Sequence, residues 1–189
     1  MIGILDTEAG NLTSVRAALD RLGLAHRTLW DVETDGLDAI LVPGQGRFGA
    51  VMASLDARGW REALLAWHAE GRRLVGICVG QQILFEGSDE DPEAVGLGLL
   101  AGRTERLDFP KRPMVGWAPV EWQRDGLPPG DAYFVNSFAA RHSDAALATT
   151  TYGERFVSAV GSGSTVAVQF HPEKSGAWGQ EVLAQLLQS

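Results

Sequence analysis

The single cysteine of the chain lies where a sharp turn would expose a nucleophile. Cys78 stands between Gly76 and Gly80 in the segment GICVG, after an apolar run and before a helical segment. This pattern has the form of the G-x-S-x-G elbow, which lifts a side chain above a sheet at a strand-to-helix junction. Flanking glycines let neighbouring backbone approach closely, and the positive helix end favours a thiolate. The Val79 amide would then stabilise an oxyanion. The alternative interpretation of Cys78 is a small buried apolar residue.

A thiolate nucleophile requires a base and a group that orients the base. His171 ends an apolar strand, because the proline that follows it cannot continue a ladder. It therefore lies at the carboxyl end of a strand, where open α/β sheets build their sites. Glu173 is close enough in sequence to accept the imidazole N–H and fix its tautomer. We interpret His26, His68 and His142 as solvated or structural residues.

Composition limits the classes of function. The chain has 189 residues, 45% of them hydrophobic, and a net charge of −8, which argues against a nucleic-acid surface. One cysteine forms no internal disulfide, and the start of the chain has no basic region typical of a secretory signal. No apolar run reaches the roughly 18 to 20 residues of a membrane span. We expect a cytoplasmic protein with one domain (1–189), no metal site and no membrane association.

Apolar runs alternate with helical periodicity in the first half of the chain, whereas the second half consists of short segments with turn signals. This order predicts an α/β fold: a mostly parallel twisted sheet with a flavodoxin-like core, flanked by helices and extended by antiparallel strands. The predicted strands are 2–5, 26–30, 37–44, 73–78, 96–108, 118–123, 132–138, 146–152 and 156–170, with hairpin turns at 126–130, 153–154 and 161–163. The predicted helices are one capped by Asn11 that stops at Gly23, one over 48–69 interrupted near Gly59, and two over 79–86 and 178–188.

Three segments resemble class I glutamine amidotransferases across the whole chain: GICVGQQ, QFHPEKS and the Pro-Gly loop after the third strand. Within that class, DTEAGNLTSV, LVPGQGRF, VGWAPV and YFVNSF are similar to the glutaminase subunits of imidazole glycerol phosphate synthase. Anthranilate-synthase glutaminases usually carry S-P-G-P-G and W-H-P-E-S, and the pyridoxal-phosphate-synthase glutaminase usually carries a G-G-E-S loop. Neither pattern fits this chain.

The resemblance implies a role for each matching residue. Cys78 attacks the side-chain amide of glutamine, His171 relays protons and Glu173 orients His171. The amide of Val79 and a backbone amide of the loop around Gln45 form the oxyanion hole. The residues implied in substrate binding are Gly44, Gly46, Gln82, Ser137 and Phe138. No cofactor is implied.

The resemblance also implies a partner. In this family, ammonia passes to a (β/α)8-barrel cyclase subunit in a heterodimer, which makes imidazole glycerol phosphate and an aminoimidazole carboxamide ribonucleotide for histidine biosynthesis. Asn11, Trp117 and Lys174 match positions near that docking face. Each also has a simpler interpretation: Asn11 caps a helix, Trp117 belongs to the core, and Lys174 is solvated. A glutaminase of another synthase, a catalytically silent amidotransferase-like binding module and another cysteine hydrolase are the alternatives for the whole chain.

The chain departs from the family pattern at Gln45, where valine is frequent, at Asn136, where histidine is usual, and at Ala118, where asparagine follows the tryptophan. Glycines on both sides of Gln45 would let its peptide rotate. We therefore expect slow glutaminase activity in the isolated chain, and activation by the cyclase subunit with its nucleotide bound, because a missing oxyanion donor slows the reaction.

Overall fold

Strands and helices alternate through the first half of the chain. The computed structural model describes residues 1–8, 12–123 and 127–188. The elements of the first half are β1 (Ile2–Leu5), α1 (Leu12–Arg21), β2 (His26–Leu29), β3 (Ala39–Val42), α2 (Phe48–Ala57), α3 (Trp60–Ala69), β4 (Arg73–Ile77) and α4 (Val79–Gln82).

Strands dominate the second half, which closes with one long helix. Its elements are β5 (Phe85–Ser88), β6 (Leu100–Arg106), β7 (Met114–Trp122), β8 (Gly130–Asn136), β9 (Phe138–Ala139), β10 (Ala146–Tyr152), β11 (Glu154–Ser162), β12 (Thr165–Val168), a single 3-10 turn (Pro172–Lys174) and α5 (Gly176–Gln188).

A nine-stranded sheet in the order β2-β1-β3-β4-β12-β11-β10-β7-β8 forms the centre of the fold. The strands from β2 to β12 in this order are parallel, and those from β12 to β8 pair antiparallel. A second, three-stranded sheet has the order β5-β6-β9. The predicted fold class, an α/β sheet extended by antiparallel strands, is confirmed.

Helices cover both faces of the parallel strands. Residues that alternate along β1 and β3 belong to two separate apolar clusters, because successive side chains of a strand point to opposite faces. Ile4 and Leu41 pack in the cluster that contains the buried residues of α1 and α5. Leu5 and Ile40 pack in the cluster that contains those of α2 and α3. Within the described residues, no helix combines the length and apolarity that a membrane crossing requires.

The predicted helix over 79–86 was wrong beyond its first turn. The helix ends at Gln82, and Phe85–Ser88 form β5. The reason is a long-range pairing: the Ile83 carbonyl accepts the Leu97 amide, and the Leu84 carbonyl accepts the Leu100 amide. These carbonyls are therefore committed to another segment, so the helical ladder does not continue.

Other boundaries shift by a few residues. Strand β7 begins at Met114 rather than 118, and α5 begins at Gly176 rather than 178. Helix α1 stops as predicted, with Gly23 at φ 67° accepting the left-handed conformation that ends helices. The Asn11 cap lies outside the described residues, as does part of the hairpin turn predicted at 126–130.

Candidate active site

Cys78 occupies a strained turn between β4 and α4. Its φ of 53° and ψ of −108° lie where residues other than glycine rarely occur. Both flanking glycines are required by close packing. A Cβ on Gly76 would lie 2.4 Å from the Gly80 carbonyl oxygen, and a Cβ on Gly80 would lie 2.2 Å from that of Val42. The elbow predicted from G-x-C-x-G is therefore present.

The loop of residues 44–46 lies against this elbow. A Cβ on Gly44 would lie 1.8 Å from the Ile77 carbonyl oxygen and 2.5 Å from the Val79 nitrogen. The Val79 amide is the first of α4, so no helical carbonyl is available to it. Gly46 adopts a φ of 109°, which favours glycine. The two segments expected to supply oxyanion donors thus lie side by side.

His171 reaches the sulfur because β12 is the parallel neighbour of β4. Val168 is in register with Ile77, and the Cys78 amide donates to the Val168 carbonyl at 2.7 Å. The residues that follow the two strands therefore leave the sheet together. Cys78 and His171 line the same cavity, and interaction with Cys78 is one of the causes that raise the pKa of His171. The His171 Nδ1 lies 2.8 Å from Glu173 Oε1, which leaves Nε2 for the sulfur.

The surroundings of His171 favour its charged form. Burial opposes protonation, but hydrogen bonds and negative charge from Cys78 and Glu173 outweigh it and raise the pKa of His171 to about 10. The His171 and Glu173 side chains are only 3% and 4% exposed. At neutral pH the site therefore holds an imidazolium beside the sulfur, with a carboxylate behind it.

A cavity of about 300 Å³ opens above the sulfur. Its lining brings together the residues expected to form the oxyanion hole and to bind substrate, together with the expected nucleophile and base. Glu173 lies behind His171 and does not line this cavity. The lining consists of Gly44, Gln45, Gly46, Cys78, Val79, Gln82, Glu90, Pro113, Val135, Asn136, Ser137, Phe138, His171 and Lys174.

The three positions expected at the partner face have different locations. Lys174 lines the cavity. Trp117 lies on β7 with 56% of its surface exposed and contacts Tyr133 edge to face, so it is not a core residue. Asn11 lies outside the described residues. Of the departures from the family pattern, Asn136 lines the cavity and Ala118 is buried.

The remaining histidines lie away from the cavity lining. His26 Nδ1 lies 3.0 Å from the Leu24 carbonyl oxygen, His68 Nδ1 lies 2.7 Å from Thr165 Oγ1, and His142 is exposed. In the part of the chain that the structure describes, no group of three or more His, Cys, Asp or Glu side chains is arranged to hold a metal.

Three polar residues near the site were not predicted from the sequence. Glu90 lines the cavity, and its Oε2 accepts the Phe48 amide at 2.9 Å. Gln169 donates from Nε2 to Cys78 Sγ at 3.6 Å. Ser175 donates to the His171 carbonyl at 2.7 Å. Gln169 and Ser175 both belong to the QFHPEKS segment, so their sequence signal was adjacency to His171.

Comparisons with known proteins agree on a family. The CobB/CobQ-like glutamine amidotransferase domain matches residues 10–117. The imidazole glycerol phosphate synthase subunit HisH of Symbiobacterium thermophilum is 42% identical, over 97% of this chain and 91% of the relative. The chloroplastic imidazole glycerol phosphate synthase hisHF of Arabidopsis thaliana is 37% identical, over 99% of this chain and 34% of the relative.

Solved structures agree on the fold. A glutamine amidotransferase crystal structure superposes with a TM-score of 0.82 at 24% identity, covering 100% of this chain and 99% of that one. The structure of PurLQS from Thermotoga maritima superposes with a TM-score of 0.80 at 17% identity, covering 98% and 96%. The sequence relatives carry the finer assignment: the chain belongs to the glutamine amidotransferases, in the family of the imidazole glycerol phosphate synthase subunit HisH.

Proposed function

We propose that this chain hydrolyses glutamine to glutamate and ammonia with Cys78 as nucleophile, as the glutaminase subunit of an imidazole glycerol phosphate synthase in histidine biosynthesis. One observation carries the proposal. The one cysteine of the chain stands on a strained elbow and lines the same cavity as His171, whose Nδ1 contacts a buried carboxylate. This is the arrangement of an activated nucleophile, its base and the group that orients the base.

The first half of the reaction is acyl transfer to sulfur. The Cys78 thiolate attacks the side-chain carbonyl carbon of glutamine, and the C–S bond forms as the carbonyl oxygen becomes an oxyanion. The Val79 amide and an amide of the 44–46 loop stabilise that charge. The His171 imidazolium then gives its proton to the amide nitrogen, the C–N bond breaks and ammonia leaves. A thioester remains on Cys78.

The second half is hydrolysis of the thioester. His171, now neutral, takes a proton from water, which attacks the thioester carbonyl. The C–S bond breaks, glutamate leaves and the thiolate–imidazolium pair is restored. Glu173 holds the ring through Nδ1 in both halves, so that the same Nε2 faces the sulfur and the water.

The cavity lining suits the amino-acid end of glutamine. Glu90 supplies a carboxylate for the α-ammonium group, and its bond to the Phe48 amide fixes that carboxylate in place. Gln82 and the backbone of Gly46, Ser137 and Phe138 provide polar groups around the same cavity. An ammonium paired with a carboxylate in a partly enclosed cavity gives selectivity for free amino acids.

An exposed apolar patch beside the cavity is the proposed docking surface for a barrel-shaped cyclase subunit. The patch consists of two cross-strand pairs on β7 and β8, Val115 with Val135 and Trp117 with Tyr133. Val115 and Trp117 are 58% and 56% exposed. Exposed apolar patches of this kind mark interaction sites. The Arabidopsis relative supports a close association, since its matching segment is 34% of a longer chain named as the synthase.

The patch is continuous with the reaction site. Val135 lines the cavity, and its carbonyl oxygen lies 3.9 Å from Cys78 Sγ. Ammonia released at the sulfur therefore emerges next to the surface proposed to meet the partner, which forms a heterodimer with this chain. Lys174 lines the same cavity and supplies a cation there.

The test separates glutamine chemistry from ammonia use. In a co-expressed complex with the cyclase subunit, Cys78→Ala is expected to abolish synthesis driven by glutamine and to preserve synthesis driven by added ammonium salt. Product is measured as imidazole glycerol phosphate under both conditions. Glutamine-driven synthesis that survives Cys78→Ala would contradict the proposed nucleophile. Loss of both activities would show that Cys78 supports the complex instead.

A further inference from the structure

Two side-chain amides form a hydrogen-bonded series that ends on the sulfur of Cys78. Gln169 follows β12 and is fully buried. Its Nε2 lies 3.6 Å from Cys78 Sγ, and its Oε1 accepts Gln82 Nε2 at 3.1 Å. The same Gln82 Nε2 donates to the Phe138 carbonyl at 3.0 Å. The order is therefore Phe138 carbonyl, Gln82, Gln169 and sulfur.

A backbone carbonyl fixes the orientation of both amides in this hydrogen-bonded series. A carbonyl oxygen only accepts, so the end of Gln82 that faces Phe138 must be its NH₂ group. That NH₂ group also faces Gln169, so the Gln169 atom it meets must be the oxygen. The Gln169 NH₂ group is thereby turned to the sulfur. No exchange of amide nitrogen and oxygen satisfies all three contacts.

We propose that Gln169 is a catalytic hydrogen-bond donor that stabilises the thiolate of Cys78, with Gln82 as its positioning residue. The inference rests on the proposed role of Cys78 as nucleophile. A buried donor aimed at sulfur strengthens as the sulfur becomes negative, because hydrogen bonds to charged groups are stronger than neutral ones. The neutral thiol is stabilised less, because the acceptor for its own S–H, the Val135 carbonyl oxygen, lies 3.9 Å away.

Two replacements at this position remove the donor in different ways. Gln169→Glu keeps the shape and keeps an oxygen for Gln82, and it places a second oxygen against the sulfur. Gln169→Met keeps the length and removes both polar atoms. Ser158→Ala is the matched control, because Ser158 is buried on β11 and its carbonyl accepts the Gln169 amide. Its hydroxyl has no hydrogen-bond partner among the residues that the structure describes.

The measurement is the rate of iodoacetamide alkylation as a function of pH in the isolated chain. Only one cysteine is present, so the label reports Cys78 alone. For Gln169→Glu and Gln169→Met, the pH of half-maximal rate should rise by about one unit or more. Glutamine-driven synthesis in the complex should fall about ten- to hundredfold, whereas ammonium-driven synthesis should not change. Ser158→Ala should match the parent in all three measurements.

The outcomes separate this inference from the proposed function. If Gln169→Glu is folded and its alkylation profile equals that of the parent, Gln169 does not stabilise the thiolate, whatever Cys78→Ala shows. If Gln169→Met does not fold, Gln169→Glu decides. Failure of both to fold would also overturn the inference, since the amide would then serve the core. Glutamine-driven synthesis by Cys78→Ala would instead remove the proposed nucleophile.

Discussion

His171 is almost fully buried and its pKa is raised, so the stability of the folded state depends on pH. A histidine in an unfolded chain has a pKa of about 6.5, whereas the pKa of His171 in the folded chain is about 10. Because the folded value is higher, protonation favours the folded state. The stabilisation is fully present below pH about 6.5 and is lost as the pH rises through about 10.

Replacing the carboxylate behind the ring should lower that pKa. Glu173→Gln removes a negative charge and a charge-assisted hydrogen bond but leaves His171 buried. Burial disfavours the charged imidazolium, so the pKa of His171 falls. A ¹⁵N NMR titration of the imidazole should show His171 losing its proton at lower pH than in the parent. Glu181→Gln removes an exposed carboxylate of α5 and serves as the control. An unchanged titration in Glu173→Gln would show that Glu173 does not sustain the imidazolium.

At the scale of elements, a hydroxyl group links the 3-10 turn that carries Glu173 to β8. Ser175 Oγ donates to the His171 carbonyl at 2.7 Å and accepts the Tyr133 amide at 3.0 Å. The His171 amide donates to the Tyr133 carbonyl at 2.9 Å. The base is therefore positioned by β8 as well as by β12, and β8 also carries part of the proposed docking patch.

Ser175→Ala should loosen that connection. It leaves the Tyr133 amide without the hydroxyl that accepts it, whereas the His171 carbonyl keeps the Lys174 amide as a donor. An unsatisfied group of this kind costs about 1–3 kcal/mol. We expect about 2 kcal/mol lower stability in urea unfolding, together with slower glutamine-driven synthesis. Ser158→Ala removes a buried hydroxyl that has no hydrogen-bond partner in the described part of the chain, and it should be nearly neutral. Equal unfolding curves for the two variants would rule out the hydroxyl as a fastening.

Some of these elements could be predicted from the sequence, whereas others could not. The G-x-C-x-G elbow, the buried strands and the break at Gly59 follow local patterns, because turn chemistry and apolar periodicity are read within a few residues. The early end of α4 depends on carbonyls of Ile83 and Leu84 pairing with a segment more than ten residues away. The position of Glu90 at the cavity and that of Gln169 against the sulfur likewise depend on long-range packing, which local sequence patterns do not reveal.

At the scale of the whole molecule, two of the exposed valines lie at opposite ends of the sheet. Val115 is on β7, next to the β8 edge, and Val32 follows β2 at the other edge. Val115→Asp should weaken binding of the cyclase subunit at least tenfold, because a desolvated charge would replace an apolar contact. Val32→Asp should bind as the parent does. Affinity is measured by titration calorimetry, and equal affinities for the two variants would place the docking surface elsewhere.

We expect the 44–46 loop to couple the site to the partner. Gly44 is packed against the elbow, whereas Gly46 holds a backbone conformation that glycine tolerates, so rotation is confined to the peptides around Gln45. The isolated chain should release glutamate about 10²–10³ times more slowly than the complex with nucleotide bound, as expected when one oxyanion donor is absent. Cys78 in the isolated chain should still react with iodoacetamide. Full-rate glutamate release without the partner would contradict this control.

The central position of β12 also bears on how the protein is made. Cys78 and His171 are about ninety residues apart in the chain, and β12 is inserted between β4 and β11, which are both synthesised before it. A nascent polypeptide on the ribosome thus contains Cys78 before His171 has been synthesised. If these residues act as proposed, glutamine hydrolysis starts only after β12 has paired with β4 and β11.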